Sequence, residues 1–349
     1  MDNFMNGALP DNRSDEQKKK DYTFKEVVAA AAPVNWIEKS DAEIRKFPDQ
    51  QQDGSGSCVA QTIKKLALVN LFNKEKSIEV FSATFIYQQR SNKPSSGMIG
   101  VEAFDIWANT GITLESLLSS ENMDDAAMDA MKVEQYEKDV AAIFKIKNHV
   151  GWNAPSSAFE EIASVIQQTG KGVMTWFYFT SPEWSLQFPT VQTPGLALAD
   201  ALKHSVAAVD FCLRNGKKYL VIEDSAHFGG LTRRFISEEF FAARCWFARY
   251  AMSFQFDAQT ITKPHYVFSK VLEFGITDPD VKALQDILKF EGLFPSNTES
   301  TGYYGAITAK ALLQWQIAHA VASTDELNQL AGRRVGPKTI NVLNSIYGQ

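Results

Sequence analysis

The segment QDGSGSC, residues 52–58, ends where a helix-patterned run begins. Apolar residues repeat at helical spacing from Ala60 to Leu71, so Cys58 is predicted at the start of a core helix. A helix N-terminus offers unpaired N–H groups and a partial positive charge, which favour a thiolate over a thiol. The stretch therefore predicts a cysteine nucleophile, with Gln52 placed to donate an amide hydrogen to an oxyanion.

The composition narrows the possible partners. The length of 349 residues allows two domains, and a hydrophobic content of 45% allows a sizeable core. The net charge of −6, with basic residues scattered along the chain, gives no reason to expect a nucleic-acid or anionic-membrane partner. No apolar stretch reaches membrane-spanning length, and residues 1–22 contain no apolar signal segment. Three cysteines are too few for a disulfide framework, which favours synthesis in the reducing cytoplasm.

A predicted hairpin brings two polar residues together. Residues 205–213 and 219–222 have strand character, and Asn215-Gly216 between them is a strong signal for a tight turn. Pairing through this turn leaves His204 and Asp224 only about three positions from opposite each other. We therefore expect their side chains to lie within reach of one another.

The chain is predicted to contain four segments. Residues 1–22 are polar without apolar periodicity, which indicates an unstructured leader. Residues 23–256 alternate helical and strand patterns and form one domain. Residues 257–275, which include Pro264, change in character and are expected to form a linker. Residues 276–349 are expected to form a small unit of three helices.

Residues 33–245 resemble the papain-like cysteine peptidases. The matching segments are PVNW at 33–36, Gln52 with GSC at 56–58, and KHSVAAV at 203–209. The interval of about 146 residues between Cys58 and His204 also falls in the range of that family. The resemblance implies an α+β domain of two lobes, one helical and one an antiparallel sheet. It also implies that Cys58, His204 and Asp224 form a catalytic triad, with Gln52 in the oxyanion hole.

The same resemblance assigns substrate contacts to five small residues, which are Gly56, Ser57, Gly97, Gly100 and Ser205. Three departures accompany it. Asp224 stands where the family has asparagine, and its negative charge should favour a protonated His204. Ala226-His227 stands where a tryptophan normally shields the histidine, and Trp184 is assigned an ordinary packing role. No long inhibitory segment precedes Pro33, which leaves latency unexplained.

Residues 276–348 resemble the peptidoglycan-binding domain of cell-wall hydrolases. The segments that match in order and spacing include VKALQ at 281–285, GYYG at 302–305 and GPKT at 336–339. The resemblance implies recognition of bacterial wall glycan or stem peptide. It makes Tyr303, Tyr304 and Gln316 candidate surface contacts.

The favoured hypothesis is a cysteine endopeptidase or wall-peptide hydrolase that needs no cofactor or metal. It would act on a peptide or protein substrate at the bacterial cell wall, or as part of a virion. One alternative is a zinc site built from Glu223, Asp224, His204 and His227, but standard ligand spacing is missing and Cys58 would have no role. The other is a catalytically decayed papain-like fold that serves as a wall-binding or virion structural protein.

Overall fold

The computed structural model describes residues 6–27, 31–255, 264–291, 293–294 and 299–348. The chain divides into two compact units. The first unit comprises Met1–Val133 and Phe144–Phe256, and the second comprises Glu134–Ile143 and Asp257–Gln349. None of the described helices is long and apolar enough to cross a membrane.

The helices and strands are numbered in chain order. The helices are α1 (Asp15–Lys18), α2 (Phe24–Val27), α3 (Cys58–Glu75), α4 (Ala83–Tyr87), α5 (Gly100–Asn109), α6 (Asp125–Ala130), α7 (Gln135–Ile143), α8 (Phe159–Thr169), α9 (Ser181–Trp184), α10 (Glu238–Arg244), α11 (Pro279–Phe290), α12 (Ala306–Ala318), α13 (Thr324–Leu330) and α14 (Pro337–Tyr347). The strands are β1 (Ala8–Leu9), β2 (Met98–Ile99), β3 (Lys145–Ile146), β4 (His149–Gly151), β5 (Val173–Phe179), β6 (Leu202–Arg214), β7 (Lys217–Glu223), β8 (Arg233–Ser237), β9 (Cys245–Ala251), β10 (Phe254–Gln255), β11 (Leu272–Glu273) and β12 (Arg334–Val335).

Helix α3 is the central helix of the first unit. Every residue from its first, Cys58, to Leu71 is buried, so the helix is enclosed on all sides rather than amphipathic. The burial includes Lys64 and Lys65, whose ammonium groups pair with Glu115 at 2.8 Å and Glu223 at 2.6 Å. Buried lysines need such partners, because an unpaired charge in the interior is strongly unfavourable.

A six-stranded sheet forms the other half of the first unit, in the order β4-β9-β5-β6-β7-β8 with antiparallel neighbours throughout. One face of the sheet packs with α8 and α10 around an aromatic core that includes Phe159, Phe177, Phe240 and Phe241. The predicted combination of helices with an antiparallel sheet is confirmed.

A β-bulge sets the relation between His204 and Asp224. The predicted hairpin is present, with left-handed φ values of 52° at Asn215 and 73° at Gly216. The register then shifts between Ala208 and Asp210, so that Ala207 pairs with Glu223. Continued by one step, this register places Asp224 two residues from the partner of His204, where an unbroken register gives three. Side chains alternate along a strand, so only the even offset puts the two on the same face.

The leader is ordered where the structure describes it. The prediction of an unstructured leader is wrong for residues 6–22, because β1 pairs in parallel with β2 and α1 has a capping box formed by Ser14 and Gln17. Ala8 is completely buried. Residues 1–5 lie outside the described residues.

The second unit has a core that includes Leu284, Leu312, Trp315 and Leu343. The three predicted helices correspond to α11, α12 and α14, and α13 is an additional helix. The predicted linker is wrong for residues 264–275, because Phe268 and Leu272 belong to the same core. Residues 257–263 lie outside the described residues.

Gln285 and Gln316 make equivalent hydrogen bonds between the helices of the second unit. The side-chain amide of Gln285 donates to the carbonyl 18 residues later and to the hydroxyl of Thr308, 23 residues later. Gln316 makes the same pair of bonds at the same separations, the second to Thr339. Equivalent hydrogen bonds therefore join α11 to α12 and α12 to α14.

Candidate active site

Cys58 lies at the first position of α3, and its thiol is not in a disulfide. Ser57 precedes it without capping the helix through its side chain; its hydroxyl pairs with that of Ser55 at 2.7 Å. The N–H groups of the first turn are therefore left unclaimed by Ser57. A helix end of this kind favours negative charge on the neighbouring sulfur.

His204 connects Cys58 with Asp224. The Nε2–H of its ring donates to Oδ1 of Asp224 at 2.7 Å, and both side chains are buried. Burial by itself lowers the pKa of His204, but the charge and hydrogen bond of Asp224, together with Cys58, raise that pKa to about 9. Because Nε2 is bound to Asp224 and Nδ1 has no hydrogen-bond partner among the described residues, Nδ1 is the nitrogen available to the Cys58 thiol.

The carboxylate of Asp224 accepts four hydrogen bonds. Oδ1 accepts from His204 and from the backbone N–H of Ala226 at 2.7 Å. Oδ2 accepts from the indole N–H of Trp184 at 2.9 Å and from the guanidinium of Arg234. Burial acts to raise the pKa of Asp224, but His204 and Arg234 lower it well below its ordinary value. The group is thus held as a carboxylate.

Trp184 packs against His204 from a different segment than Ala226-His227, where the resemblance places a tryptophan. It ends α9, in the connection between β5 and β6, where the Glu183 carboxylate accepts from the backbone N–H of Thr180 at 3.0 Å. Its ring meets the His204 ring edge-on, with centroids 6.2 Å apart and planes at 82°. The packing role assigned from sequence was therefore incomplete, because the indole also binds the carboxylate that orients His204.

Gln52 is held beside the Asp224 segment by two hydrogen bonds to Ser225, and a further bond joins it to the loop before Cys58. Its backbone N–H donates to the carbonyl of Ser225 at 2.9 Å, and its side-chain Oε1 accepts from the Ser225 hydroxyl at 3.0 Å. Its Nε2 donates to the carbonyl of Ser55 at 3.1 Å, which aims the amide at the loop before Cys58. These contacts fix the position of Gln52 relative to Ser225 and to the loop before Cys58.

Asp125 and Tyr87, which the sequence analysis did not identify, bind the backbone at Gly56 and Gly97. The carboxylate of Asp125 accepts from the backbone N–H of Gly56 at 2.9 Å and from the hydroxyl of Tyr87 at 2.8 Å. The Tyr87 hydroxyl in turn accepts from the backbone N–H of Gly97 at 2.9 Å. The two predicted contact glycines are thereby joined across the site.

Two other predicted substrate contacts are wrong. The Ser205 hydroxyl is buried against Thr62 of α3 at 2.8 Å, so it joins the sheet to the helix. A Cβ on Gly100 would lie 2.5 Å from the Trp176 ring, so the missing side chain makes room for aromatic packing. Both residues are buried, and the resemblance of short segments did not indicate their burial.

The leader occupies the space above Cys58. The Gly7 carbonyl accepts from the backbone N–H of Met98 at 2.8 Å, and β1 continues along β2. A Cβ on Gly7 would lie 2.2 Å from the Gly56 carbonyl oxygen and 2.8 Å from Cys58 Sγ. The leader therefore contacts Gly56, Gly97 and Cys58, and this cover contributes to the complete burial of Cys58.

Ion pairs fasten the leader to the sheet. The Arg13 guanidinium binds Asp11 at 2.8 Å and Asp21 at 2.6 Å. Asp21 also accepts from Arg249 of β9 at 2.9 Å. Arg13 thus joins two parts of the leader, and Arg249 attaches the leader to β9.

The predicted wall contacts divide into one exposed and two buried residues. Tyr303 is 49% exposed. Tyr304 is completely buried and donates its hydroxyl hydrogen to the Gly332 carbonyl at 2.7 Å. Gln316 is buried by the hydrogen bonds described above. The predictions for Tyr304 and Gln316 as surface contacts are therefore wrong.

The residues considered for a zinc site do not converge. The His227 Nε2 is hydrogen-bonded to the Gln50 carbonyl at 3.0 Å, and Glu223 is paired with Lys65 and Arg233. In the part of the chain that the structure describes, no group of three or more histidine, cysteine, aspartate or glutamate residues is arranged to hold a metal ion.

The chain was compared with known proteins. No protein-family model and no curated protein matches the sequence. Solved structures do match. Xylellain, a cysteine protease from Xylella fastidiosa, aligns with 72% of this chain and 96% of its own, at 15% identity and a TM-score of 0.53. Procathepsin L2 from the larval midgut of Tenebrio molitor aligns with 71% and 78%, at 18% identity and 0.55.

A third match is the region of Cwp84 from Clostridium difficile that holds its cysteine protease and lectin-like domains. It covers 65% of this chain and 54% of its own, at 13% identity and a TM-score of 0.50. These identities are low, so the shared property is the three-dimensional arrangement. The larger part of this chain therefore has the fold of the papain-like cysteine proteases.

Proposed function

We propose that the chain is a cysteine peptidase with Cys58 as nucleophile, His204 as acid–base and Asp224 as the residue that orients His204. The observation that carries the proposal is the buried hydrogen bond of 2.7 Å from His204 to Asp224, made by an imidazole that also neighbours Cys58 at the start of α3. A fold used by cysteine proteases supports the same assignment.

The reaction would proceed through a covalent intermediate. The Cys58 thiolate attacks the carbonyl carbon of a peptide, and the oxygen develops negative charge beside the Gln52 amide and the Cys58 backbone N–H. The His204 imidazolium gives its proton to the departing amine as the C–N bond breaks. A water molecule, deprotonated by His204, then hydrolyses the thioester and restores the thiolate.

The first prediction tests cleavage. The full chain and its Gly7→Val variant, which is designed to displace the leader by a clash with Gly56 and Cys58, are incubated separately with casein and with soluble muropeptides. We expect new amine ends with at least one substrate, and a loss of rate of about 10³-fold or more in Cys58→Ala, since no other group supplies the nucleophile. Cys212→Ala, which removes a buried thiol of β6, is the matched control and should retain activity. Equal cleavage by the Cys58→Ala variant, or none by any form, would contradict the assignment.

We also propose that the second unit binds bacterial cell wall, so that the peptidase acts there or as part of a virion. The sequence pattern of residues 276–348 and the exposed Tyr303 ring support this role. Cwp84 is a surface layer associated protein, which gives a precedent for the fold at a cell surface. A binding unit beside a peptidase would raise the local concentration of substrate.

The second prediction tests wall binding by sedimentation with purified sacculi. Tyr303→Ala in the full chain should weaken binding by about fivefold, the effect of removing one aromatic contact. Tyr22→Ala removes an exposed tyrosine from the leader, 60% exposed, and serves as the matched control. Unchanged binding by the Tyr303→Ala variant, or failure of the wild-type chain to sediment, would contradict the proposed contact.

A further inference from the structure

Arg234 of β8 is a fully buried arginine that contacts the far side of the Asp224 carboxylate. Its Nε–H donates to the Trp184 carbonyl at 2.8 Å, and one Nη2–H donates to the Phe228 carbonyl at 2.7 Å. The guanidinium carbon also lies 4.8 Å from the centre of the Trp184 ring. One side chain therefore binds Asp224, the segment that carries Trp184, and the loop after Asp224.

The two donors at Asp224 Oδ2 explain why an aspartate stands here. An asparagine that kept its carbonyl oxygen toward His204 would direct its NH₂ group at Trp184 and Arg234, both of which are donors. Buried donors that face one another are unfavourable, whereas a carboxylate satisfies all of them. Since Arg234 is positively charged, it also balances the carboxylate in an interior where an unpaired charge is strongly destabilising.

We propose that Arg234 is a positioning residue of the active site, which holds Asp224 and Trp184 against His204 and offsets the aspartate charge so that aspartate can replace the family's asparagine. The inference rests on the proposed peptidase function. Arg234 is fully buried and binds Asp224 and backbone carbonyls, so its effect is exerted through Asp224.

The charges around the pair define the expected change in protonation. Asp224 faces His204 on one side and Arg234 on the other, and His204 faces Cys58 from α3. The nearby carboxylates are paired elsewhere, Glu223 with Lys65 and Arg233, and Glu183 with Arg244. Removal of the positive charge at Arg234 leaves His204 as the main counter-charge of Asp224. The pKa of His204 should then rise further, because its protonated form is favoured more strongly.

The experiment is a double-variant cycle in the full chain, with Arg234→Gln, Asp224→Asn and the D224N/R234Q combination, alongside Arg234→Lys. The pKa of His204 is followed by NMR of ring nitrogens, assigned by comparison with a His204→Gln sample. We expect R234Q to raise this pKa and D224N to lower it. R234K retains the charge and should leave the pKa near the wild-type value.

Activity of the same variants is measured in the Gly7→Val background. Each single substitution should lower kcat/KM by about tenfold or more, and the combined variant should recover about tenfold over either one, because a glutamine carbonyl can accept from the asparagine NH₂ group. KM should change little, since the fully buried Arg234 side chain is not exposed to a substrate.

Two results would overturn the inference. One is an unchanged His204 pKa in R234Q that folds normally, and the other is additive losses in the combined variant. If R234Q does not fold, the inference is tested by the His204 pKa in R234K and by the activity of D224N/R234Q relative to D224N. The titration needs no substrate, so a failure to cleave any peptide would refute the proposed function without deciding the role of Arg234.

Discussion

Replacement of Gly7 by valine in the full chain is expected to accelerate alkylation of Cys58 by iodoacetamide by about tenfold to hundredfold. A side chain at this position meets the Gly56 carbonyl at 2.2 Å and Cys58 Sγ at 2.8 Å, and neither atom belongs to a flexible side chain that could move far away. Overpacking of this kind destabilises the local arrangement by about 1–3 kcal/mol, and each 1.4 kcal/mol corresponds to a tenfold change in population. The leader should therefore leave the cleft more often.

The matched control is Gly54→Val, in the same loop as the nucleophile. A Cβ at Gly54 meets no atom within 4 Å, so the substitution changes composition without affecting the leader. The label reports Cys58, because burial raises the pKa of the Cys212 and Cys245 thiols and keeps them unreactive. Alkylation of the Gly7→Val chain at the wild-type rate would show that the leader does not limit access.

Asp224→Ala is expected to cause the largest combined loss of stability and activity. The substitution removes the acceptor of four buried donors and leaves the Arg234 charge uncompensated, a change that costs about 3–5 kcal/mol of unfolding free energy. It also frees the His204 ring, so kcat/KM in the Gly7→Val background should fall by about 10²- to 10⁴-fold. Urea unfolding and peptide hydrolysis measure the two effects separately.

Asp210→Ala is the matched control for Asp224→Ala, because it removes a buried carboxylate that does not contact His204. Asp210 lies on β6 and is as buried as Asp224, with Lys39 Nζ at 2.7 Å and the Arg45 backbone N–H at 2.9 Å. Its replacement should lower stability yet leave kcat/KM within about threefold of the parent. Asp210 lies six residues along β6 from His204 and binds Lys39 and Arg45, so its loss should not couple to the site. Equal activity losses in both variants would contradict the orienting role of Asp224.

The sequence allowed the central pieces of the site to be predicted because each has a local signal. Cys58 follows a glycine-serine stretch at a helix start, and Asn215-Gly216 fixes the hairpin that pairs the strand of His204 with that of Asp224. The exact register could not be predicted. The unpaired Val209 shifts the pairing by one residue, and nothing in an apolar run of β-branched and small residues distinguishes a bulged position from a paired one.

Trp184 and Arg234 could not be predicted because they reach Asp224 from other segments of the sheet region. Trp184 is 40 residues away in the chain and Arg234 is 10 residues away on the next strand. Their roles depend on the packing of separate elements, which no local pattern encodes. The Thr180–Glu183 spacing is the local sequence signal for a helix start before Trp184, and the Glu183 carboxylate accepts from the Thr180 N–H there.

In the second unit, the sequence also could not show which polar residues are buried. Tyr304 and Gln316 lie in motifs that were read as surface contacts, but their hydrogen bonds lock the interior. Gln285 and Gln316 each bind a threonine 23 residues later, Thr308 and Thr339. This repeated separation has no meaning in the sequence until the hydrogen bonds are known. Polar residues in a small domain serve its own backbone as readily as a ligand.

A strand that is covalently attached beside the nucleophile competes with every incoming peptide as an intramolecular ligand. Short tethers of this type correspond to local concentrations in the millimolar range. A free peptide present at micromolar concentration would therefore be excluded unless it bound far more tightly than β1 does. Dense polymeric substrates, which present many cleavable bonds close together, would be the ones able to outcompete the segment around Gly7.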